Sequence, residues 1–368
     1  MHIAMPKILI VIARLNVGGT SQYIGELVSG LRVHGYEVIV ATGHVQGAEV
    51  EDGVVDQLPI RRIRNLGRKI SLVADLKARR EIKGLIREFE PDLMYSHTFK
   101  AGLLVRSLST KTPVIHAFHG HLLSEPELAG WKSRVVVFCE RLLAPRASAL
   151  VTVGKKVAEE LLAEGVGRNS QYRSIAPGVR PLALEKESDA RKALGIESEN
   201  RPIVVWMALV TAVKAPQRVA EIARAISEAR FLLAGGGDLI DQIKKDVPSN
   251  LSIVGWQPAS RMWAVADLAI STSENEGMPV ALIEAQLAGV PVVAVDVGAI
   301  SEVIDDGVTG YVYDEFDENY IKRVRELILD KAALKALGKK AKERAAQEFA
   351  PETLVESHLP LFDEILRR

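Results

Sequence analysis

The sequence predicts an α/β protein of two doubly wound, Rossmann-like domains, each built around a parallel sheet. Three observations carry that prediction. The chain has 368 residues, more than one hydrophobic core usually serves, so two domains of about 150–200 residues each are expected. Apolar runs of strand length alternate with helical patterns, and this rhythm passes through the chain twice. A break separates the two passes, where Ala176-Pro177-Gly178-Val179 opens a charged segment without strand signals that lasts to about Asp189.

Taken in order, residues 7–13 form the first expected strand, and Asn16-Val17-Gly18-Gly19-Thr20 leads from it into a helix over 21–33. Glycine permits close backbone approach, and a new helix offers free N–H groups to an anion, although a plain structural turn would look the same. Strands follow at 37–42, 92–97, 113–119 and 149–154. Between the second and third lies a basic stretch from Arg61 to Arg87, where ten Lys/Arg face only Asp75 and Glu81. After the break come strands at 202–208, 231–235, 251–255, 268–272 and 291–296, each a short apolar run suited to burial on both faces. Pro351 then introduces a final helical pattern over 352–366. The expected domains are 1–180, joined by a crossing helix at 352–368, and 186–350.

Open parallel sheets bind ligands beyond the carboxyl ends of their strands, so two such domains facing an interdomain cleft would offer one wall to each substrate. The richest segment is Glu276-Gly277-Met278-Pro279-Val280-Ala281-Leu282-Ile283-Glu284, followed by Ala288-Gly289-Val290-Pro291. Pro279 suits a first helical position and Gly289 a C-terminal cap. The N–H groups of Met278, Val280 and Ala281 would then be open to a phosphate. Glu276 stands beside them, able to accept from sugar hydroxyls, and Glu284, about two turns further along the chain from Glu276, can reach a second polyol such as a ribose. The alternative is an amphipathic helix carrying two ordinary glutamates.

The flanking residues favour the first reading. From Ser273 through Gly310, including Ser-Glu-Asn-Glu-Gly-Met-Pro, Glu-Ala-Gln-Leu-Ala-Gly-Val-Pro-Val-Val-Ala and Gly-Ala-Ile-Ser-Glu-Val-Ile-Asp-Asp-Gly-Val-Thr-Gly, the chain closely resembles the donor-binding signature of retaining family-4 glycosyltransferases. The resemblance extends over nearly the whole chain. It implies the GT-B architecture and transfer of a sugar from a nucleoside diphosphate sugar to an acceptor hydroxyl, in polysaccharide or glycoconjugate synthesis. It also implies donor-binding roles for Gly18 and Gly19 near the diphosphate, for Glu276 at the sugar and for Glu284 at the ribose.

The same resemblance gives meaning to weaker signals. His116, His119 and His121 cluster at the end of an expected strand; their spacing could suit a metal, but no third ligand lies nearby. A histidine at the place of His119 contacts the transferred sugar in the resembled family, and His121 would be an acceptor-side neighbour. Lys214 could neutralise the departing diphosphate. The family pattern there is Arg-Leu-x-x-x-Lys-Gly, whereas this chain reads Leu209-Val210-Thr211-Ala212-Val213-Lys214-Ala215. Leu209 therefore stands where an arginine would grip phosphate, with Arg14 and Arg180 as candidate substitutes. Gly235-Gly236-Gly237-Asp238 could shape the nucleotide pocket, with Gly236 as a donor-binding candidate, or be a flexible turn, and Gly255-Trp256 resembles the segment flanking the base. No Asp-x-Asp motif occurs, and neither a metal nor any other cofactor is expected.

Charge and composition bound the remaining choices. No apolar run approaches the roughly 18 residues of a membrane span, and the first six residues are too short for a signal peptide. The lone Cys139 fits a reducing cytosol and lies in the run Val135-Val136-Val137-Phe138, expected in the core. Residues 1–180 hold 25 Lys/Arg and 17 Asp/Glu, a net +8 balanced by −8 in the remainder. The Arg61–Arg87 stretch is either an anionic-membrane surface or a solvated basic helix face. Nucleic acid is not an expected partner. The expected location is cytoplasmic, at the inner face of a membrane if that surface binds lipid. Two other functions stay open: a weakly active or inert nucleotide-sugar-binding protein, on the ground of Leu209, and a nucleotide-sugar 2-epimerase, which shares the fold class but lacks the Glu276-to-Glu284 signature.

Overall fold

The structure is a computed structural model describing residues 5–46, 49–67, 71–120 and 131–367. It divides into two compact units, Met1–Val179 with Pro351–Arg368, and Arg180–Ala350.

The first unit is built on β1 (Lys7–Ile12), β2 (Glu37–Thr42), β3 (Ile60–Arg62), β4 (Leu93–His97), β5 (Val114–Phe118), β6 (Ala149–Thr152) and β7 (Tyr172–Ser174). They pair in parallel in the order β3-β2-β1-β4-β5-β6-β7. The central strands are buried on both faces, which is why they read as unbroken apolar runs. Helices α1 (Gly19–Val33), α2 (Leu72–Phe89), α3 (Phe99–Arg106), α4 (Trp131–Leu143) and α5 (Lys155–Ala163) connect them. Ala78, Ile82, Leu85 and Phe89 make the buried stripe of α2. Ion pairs join α3 to its neighbours: Lys100 to Asp75 of α2 and Arg106 to Glu140 of α4, each at 2.7 Å.

The second unit carries β8 (Ile203–Met207), β9 (Arg230–Ala234), β10 (Leu251–Gly255), β11 (Leu268–Ser271), β12 (Val292–Val295) and β13 (Gly310–Tyr313), parallel in the order β10-β9-β8-β11-β12-β13. Its helices are α6 (Glu187–Ala193), α7 (Gln217–Ala225), α8 (Ile240–Ile243), α9 (Ala259–Val265), α10 (Val280–Leu287), α11 (Ile300–Val303), α12 (Glu318–Leu329) and α13 (Lys331–Glu348). Trp206, Phe231, Leu268, Val293 and Tyr320 lie in one buried cluster. The Tyr320 hydroxyl donates to the carbonyls of Ser271 and Val293, at 3.1 and 2.9 Å.

The last helix, α14 (Pro351–Leu366), belongs to the first unit and packs along α1. A Cβ on Gly30 would come within 2.2 Å of the Val355 side chain, so glycine lets the two helices approach.

Three local expectations are corrected. β3, β7 and β13 were not anticipated; each is a short outer strand, and edge strands need no continuous apolar run. The run beside Cys139 is a turn of α4 in which Val136 and Val137 are buried while Val135 and Phe138 face solvent, so helical period replaces the expected core segment. Pro279 is the N-cap of α10 and Val280 its first residue, one position later than expected.

Candidate functional site

Strand order reverses next to β8 in the second sheet, so β8 and β11 are neighbours whose following loops diverge. Such a switch point is where open α/β sheets hold ligands. The chain leaving β8 makes a single 3-10 turn over Ala212–Lys214, and Ala215 closes it in the left-handed region at φ 46°. This turn is tied to the segment leaving β11. The Glu274 N–H donates to Val213 O at 2.8 Å, and the Thr272 hydroxyl lies 3.1 Å from the carbonyls of both Lys214 and Ala215. Trp206 Nε1 donates in turn to Thr272, at 3.0 Å.

That tie brings Lys214 and Glu276 together, with Nζ 2.5 Å from one carboxylate oxygen. Ser273 donates to the other oxygen at 2.7 Å. Glu276 is 9% exposed and Lys214 20%, so the pair is partly screened and sits at the mouth of the switch point. Its backbone is fixed as well. Gly298 has φ 56°, and a Cβ there would lie 1.8 Å from Glu276 O, while Ala299 N–H donates to Gly277 O at 2.8 Å. Gly277, Met278 and Pro279 then lead into α10, whose first turn carries no acidic residue and no side-chain cap. The N–H groups of Val280 and Ala281 have no acceptor within the helix, and the dipole places positive potential there. Glu284 lies one turn on and is 6% exposed.

Gly236 belongs to the same end of the sheet. Its carbonyl accepts from Val210 N–H at 3.0 Å, and a Cβ on it would meet Trp256 Nε1 at 2.4 Å. Val210 is buried while Leu209 beside it is 44% exposed. The position where a phosphate-gripping arginine is expected therefore holds an outward apolar side chain on a pinned backbone.

In the first sheet the switch lies between β1 and β4. Gly18 caps α1 with φ 153°, nothing lies within 4 Å of where its Cβ would stand, and Gly19 is the first helical residue. Arg14 is not available as a free phosphate ligand, because Glu49 holds it through two hydrogen bonds of 2.6 and 2.7 Å. His119 follows β5, with Nε2 2.9 Å from Nδ1 of His97, the last residue of β4. Burial lowers the His119 pKa to about 4, although the residue as a whole is only partly buried, and burial, then the neighbouring His119 and His358, hold His97 well below its usual range. Both rings are neutral at pH 7. His116 is buried against Ser96, and His121 lies outside the described residues.

The basic stretch is divided by its partners. Arg62 is held by Glu51 and Gly43 O, Arg61 lies 3.7 Å from Glu88, and Arg79 donates to Ser107 O. Lys77, Arg80, Lys83 and Arg87 of α2 are exposed, as are Leu72, Val73 and Leu76 in its first turns. Arg68 and Lys69 lie outside the described residues. Sequence reasoning passed over four residues that shape these places: Thr272, Ser273, Gly298 and His97. Gly298 and Ser273 lay inside the quoted signature; His97 carried only its position at the end of a strand.

Residues 18–178 match the glycosyl transferase 4-like domain, and residues 187–344 match the domain described as glycosyl transferases group 1. Together with two parallel sheets and paired switch-point loops, this defines the class: the chain belongs to the family-4 glycosyltransferases, and its architecture is GT-B. Among relatives, it is 24% identical to the sulfoquinovosyl transferase SQD2 of Arabidopsis thaliana, over 89% of this chain and 67% of that protein. It is 25% identical to the alpha-maltose-1-phosphate synthase of Mycolicibacterium smegmatis, over 95% and 96%. Among solved structures, the sucrose-phosphate synthase of Thermosynechococcus elongatus aligns with TM-score 0.85 at 19% identity, over 99% of both chains. Anabaena HepE in complex with UDP-glucose aligns with TM-score 0.81 at 18% identity, over 97% of this chain and 99% of that one.

Proposed function

We propose that this glycosyltransferase moves a sugar from a nucleoside diphosphate sugar, a UDP-sugar in the first instance, to an acceptor hydroxyl with retention of anomeric configuration and without a metal. The observation that carries the reading is the Lys214–Glu276 pair set beside the uncapped N-terminus of α10. In this account the diphosphate meets the ammonium of Lys214 and the amides of Met278, Val280 and Ala281, where positive potential stabilises the charge that develops on the leaving group. Glu276 accepts from the sugar hydroxyls and Glu284 from the ribose. Gly236 leaves room for the nucleotide, and Gly18 and Gly19 leave room for the donor phosphates. His119 touches the transferred sugar. The departing phosphate takes the proton of the acceptor hydroxyl as the glycosidic bond to the donor breaks, so no covalent enzyme nucleophile is required.

HepE, named in complex with UDP-glucose, supports a nucleotide-sugar donor. The exposed apolar residues of α2 beside Lys77 and Arg80 support peripheral attachment to an anionic membrane, and hence a glycolipid or lipid-linked acceptor at its cytoplasmic face. Among the described residues no helix is long and apolar enough to cross a membrane.

Leu209 favours a second reading, a donor-binding protein with slow transfer, because its exposed side chain offers no charge to the diphosphate. Proton NMR of the protein incubated with a panel of UDP- and GDP-sugars decides among them. Transfer or hydrolysis releasing the same anomer supports the first reading, and saturable binding without turnover the second. Epimerisation or an inverted product contradicts both.

A further inference from the structure

We propose that His97 is a positioning residue that fixes the tautomer of His119, so that His119 presents an Nδ1–H donor at the carboxyl edge of the first sheet. The inference rests on the reading of His119 as a sugar contact. Only one proton can lie between His97 Nδ1 and His119 Nε2, which are 2.9 Å apart, with the ring centres 5.2 Å apart and the planes inclined at 27°, so the rings meet edge to edge. If His119 donated it, neutral His97 would carry its own proton on Nε2. That atom is buried and has no partner among the described residues, and His97 has no exposed surface. Buried N–H groups without an acceptor are rarer in folded proteins than acceptors without a donor. The favoured arrangement is therefore His97 Nδ1–H donating to a bare His119 Nε2, which leaves the proton of His119 on Nδ1.

The neighbouring protons are already committed. His358 Nδ1 lies 2.8 Å from the Leu354 carbonyl and must donate to it, so its bare Nε2 offers one lone pair to the hydroxyls of Tyr23 and Tyr95, 3.2 and 3.1 Å away, which also bond each other. Neither hydroxyl is bonded to His97. A second observation marks the same spot. Thr98, directly after His97, has φ 69° and ψ 151°, a region occupied almost only by glycine. Such backbone persists where the surroundings over-determine it, and it gathers at functional sites. A donor at this edge suits hydroxyl and phosphate oxygens; a bare nitrogen would repel the latter.

The test uses the full chain with 15N-labelled histidine and long-range proton–nitrogen correlation, the His119 signals being identified by their loss in His119→Gln. The wild-type spectrum should show His119 protonated at Nδ1 and bare at Nε2. His97→Phe, which keeps the ring, should move His119 towards Nε2–H and cut kcat by about tenfold, with the donor KM changing less than about threefold, as one misdirected hydrogen bond would. His97→Asn, which restores a donor near the same place, should recover most of the loss. A wild-type His119 protonated at Nε2 overturns the proposal, and so does a tautomer unmoved by His97→Phe. If the tautomer shifts as stated while His119→Gln and His97→Phe transfer sugar normally, the positioning stands and the sugar contact fails. Should His97→Phe not fold, the wild-type spectrum alone decides.

Discussion

Leu209 is the residue at which chemistry and family pattern part. The loop around it is fixed by Ala208 N–H to Ala234 O and Val210 N–H to Gly236 O, so a longer side chain can be placed there without disturbing the sheet. An arginine would add a bidentate, charge-assisted contact that strengthens as the leaving phosphate gains charge. Leu209→Arg should therefore raise kcat about tenfold or more while donor affinity changes little. Steady-state kinetics check it; a lowered kcat would place Leu209 outside the phosphate clamp. Gly298 makes the complementary case. A methyl group there collides with Glu276 O, and the φ of 56° disfavours any Cβ. Gly298→Ala should lose about 2 kcal/mol of stability by chemical denaturation, and weaken UDP-glucose binding more than UDP binding, because it displaces Glu276 rather than Glu284.

At the scale of elements, α14 is joined to the first unit by a buried hydrogen-bonded group. His358 is fully buried, its Nε2 3.2 and 3.1 Å from the hydroxyls of Tyr23 of α1 and Tyr95 of β4. Removing its ring leaves the buried tyrosine pair one acceptor short and a cavity beside Phe362. His358→Ala should cost about 2–4 kcal/mol, seen as a lower urea midpoint. The final helix was legible in the sequence from Pro351 and its apolar period, but its partners were not, because the tyrosines lie more than 260 residues away along the chain. The inner strands were legible for the opposite reason: burial on both faces writes a continuous apolar run, as in 8–12 and 203–206. Of the outer strands, β3, β7 and β13 escaped because one free edge relaxes that demand, while β10 keeps Leu251, Ile253 and Val254 and was legible. The site was legible where glycine, proline and glutamate fall in fixed order. The Lys214–Glu276 pair was not, since nothing in sequence shows that the turns after β8 and β11 are tied to each other.

Across the whole molecule, titratable groups are unevenly distributed. All eight histidines belong to the first unit. Burial lowers His358 to about 4 and holds His97 and His116 well below the ordinary imidazole range. These rings fold neutral, whereas in the unfolded chain they take up protons below about pH 6.5. Their contribution is complete above that pH and is lost as pH falls towards 4, at up to about 1.4 kcal/mol per pH unit for each fully depressed group. Urea titrations should show stability falling by at least about 2 kcal/mol between pH 6.5 and 5, with the loss confined to the first unit if the two unfold separately. A flat profile would mean that these rings are solvated or already charged.

The central claim is that the second unit binds a nucleotide-sugar through two glutamates with different duties. Isothermal titration of UDP and of UDP-glucose into the wild-type protein, Glu276→Ala and Glu284→Ala tests it most directly. Each carboxylate is a charged acceptor worth about 1.5–3 kcal/mol, roughly 10- to 150-fold in Kd. Glu284→Ala should weaken both ligands by that factor, and Glu276→Ala should weaken UDP-glucose while leaving UDP within about threefold. Equal loss of UDP affinity in both variants, or no binding of either ligand by the wild-type protein, would contradict the account.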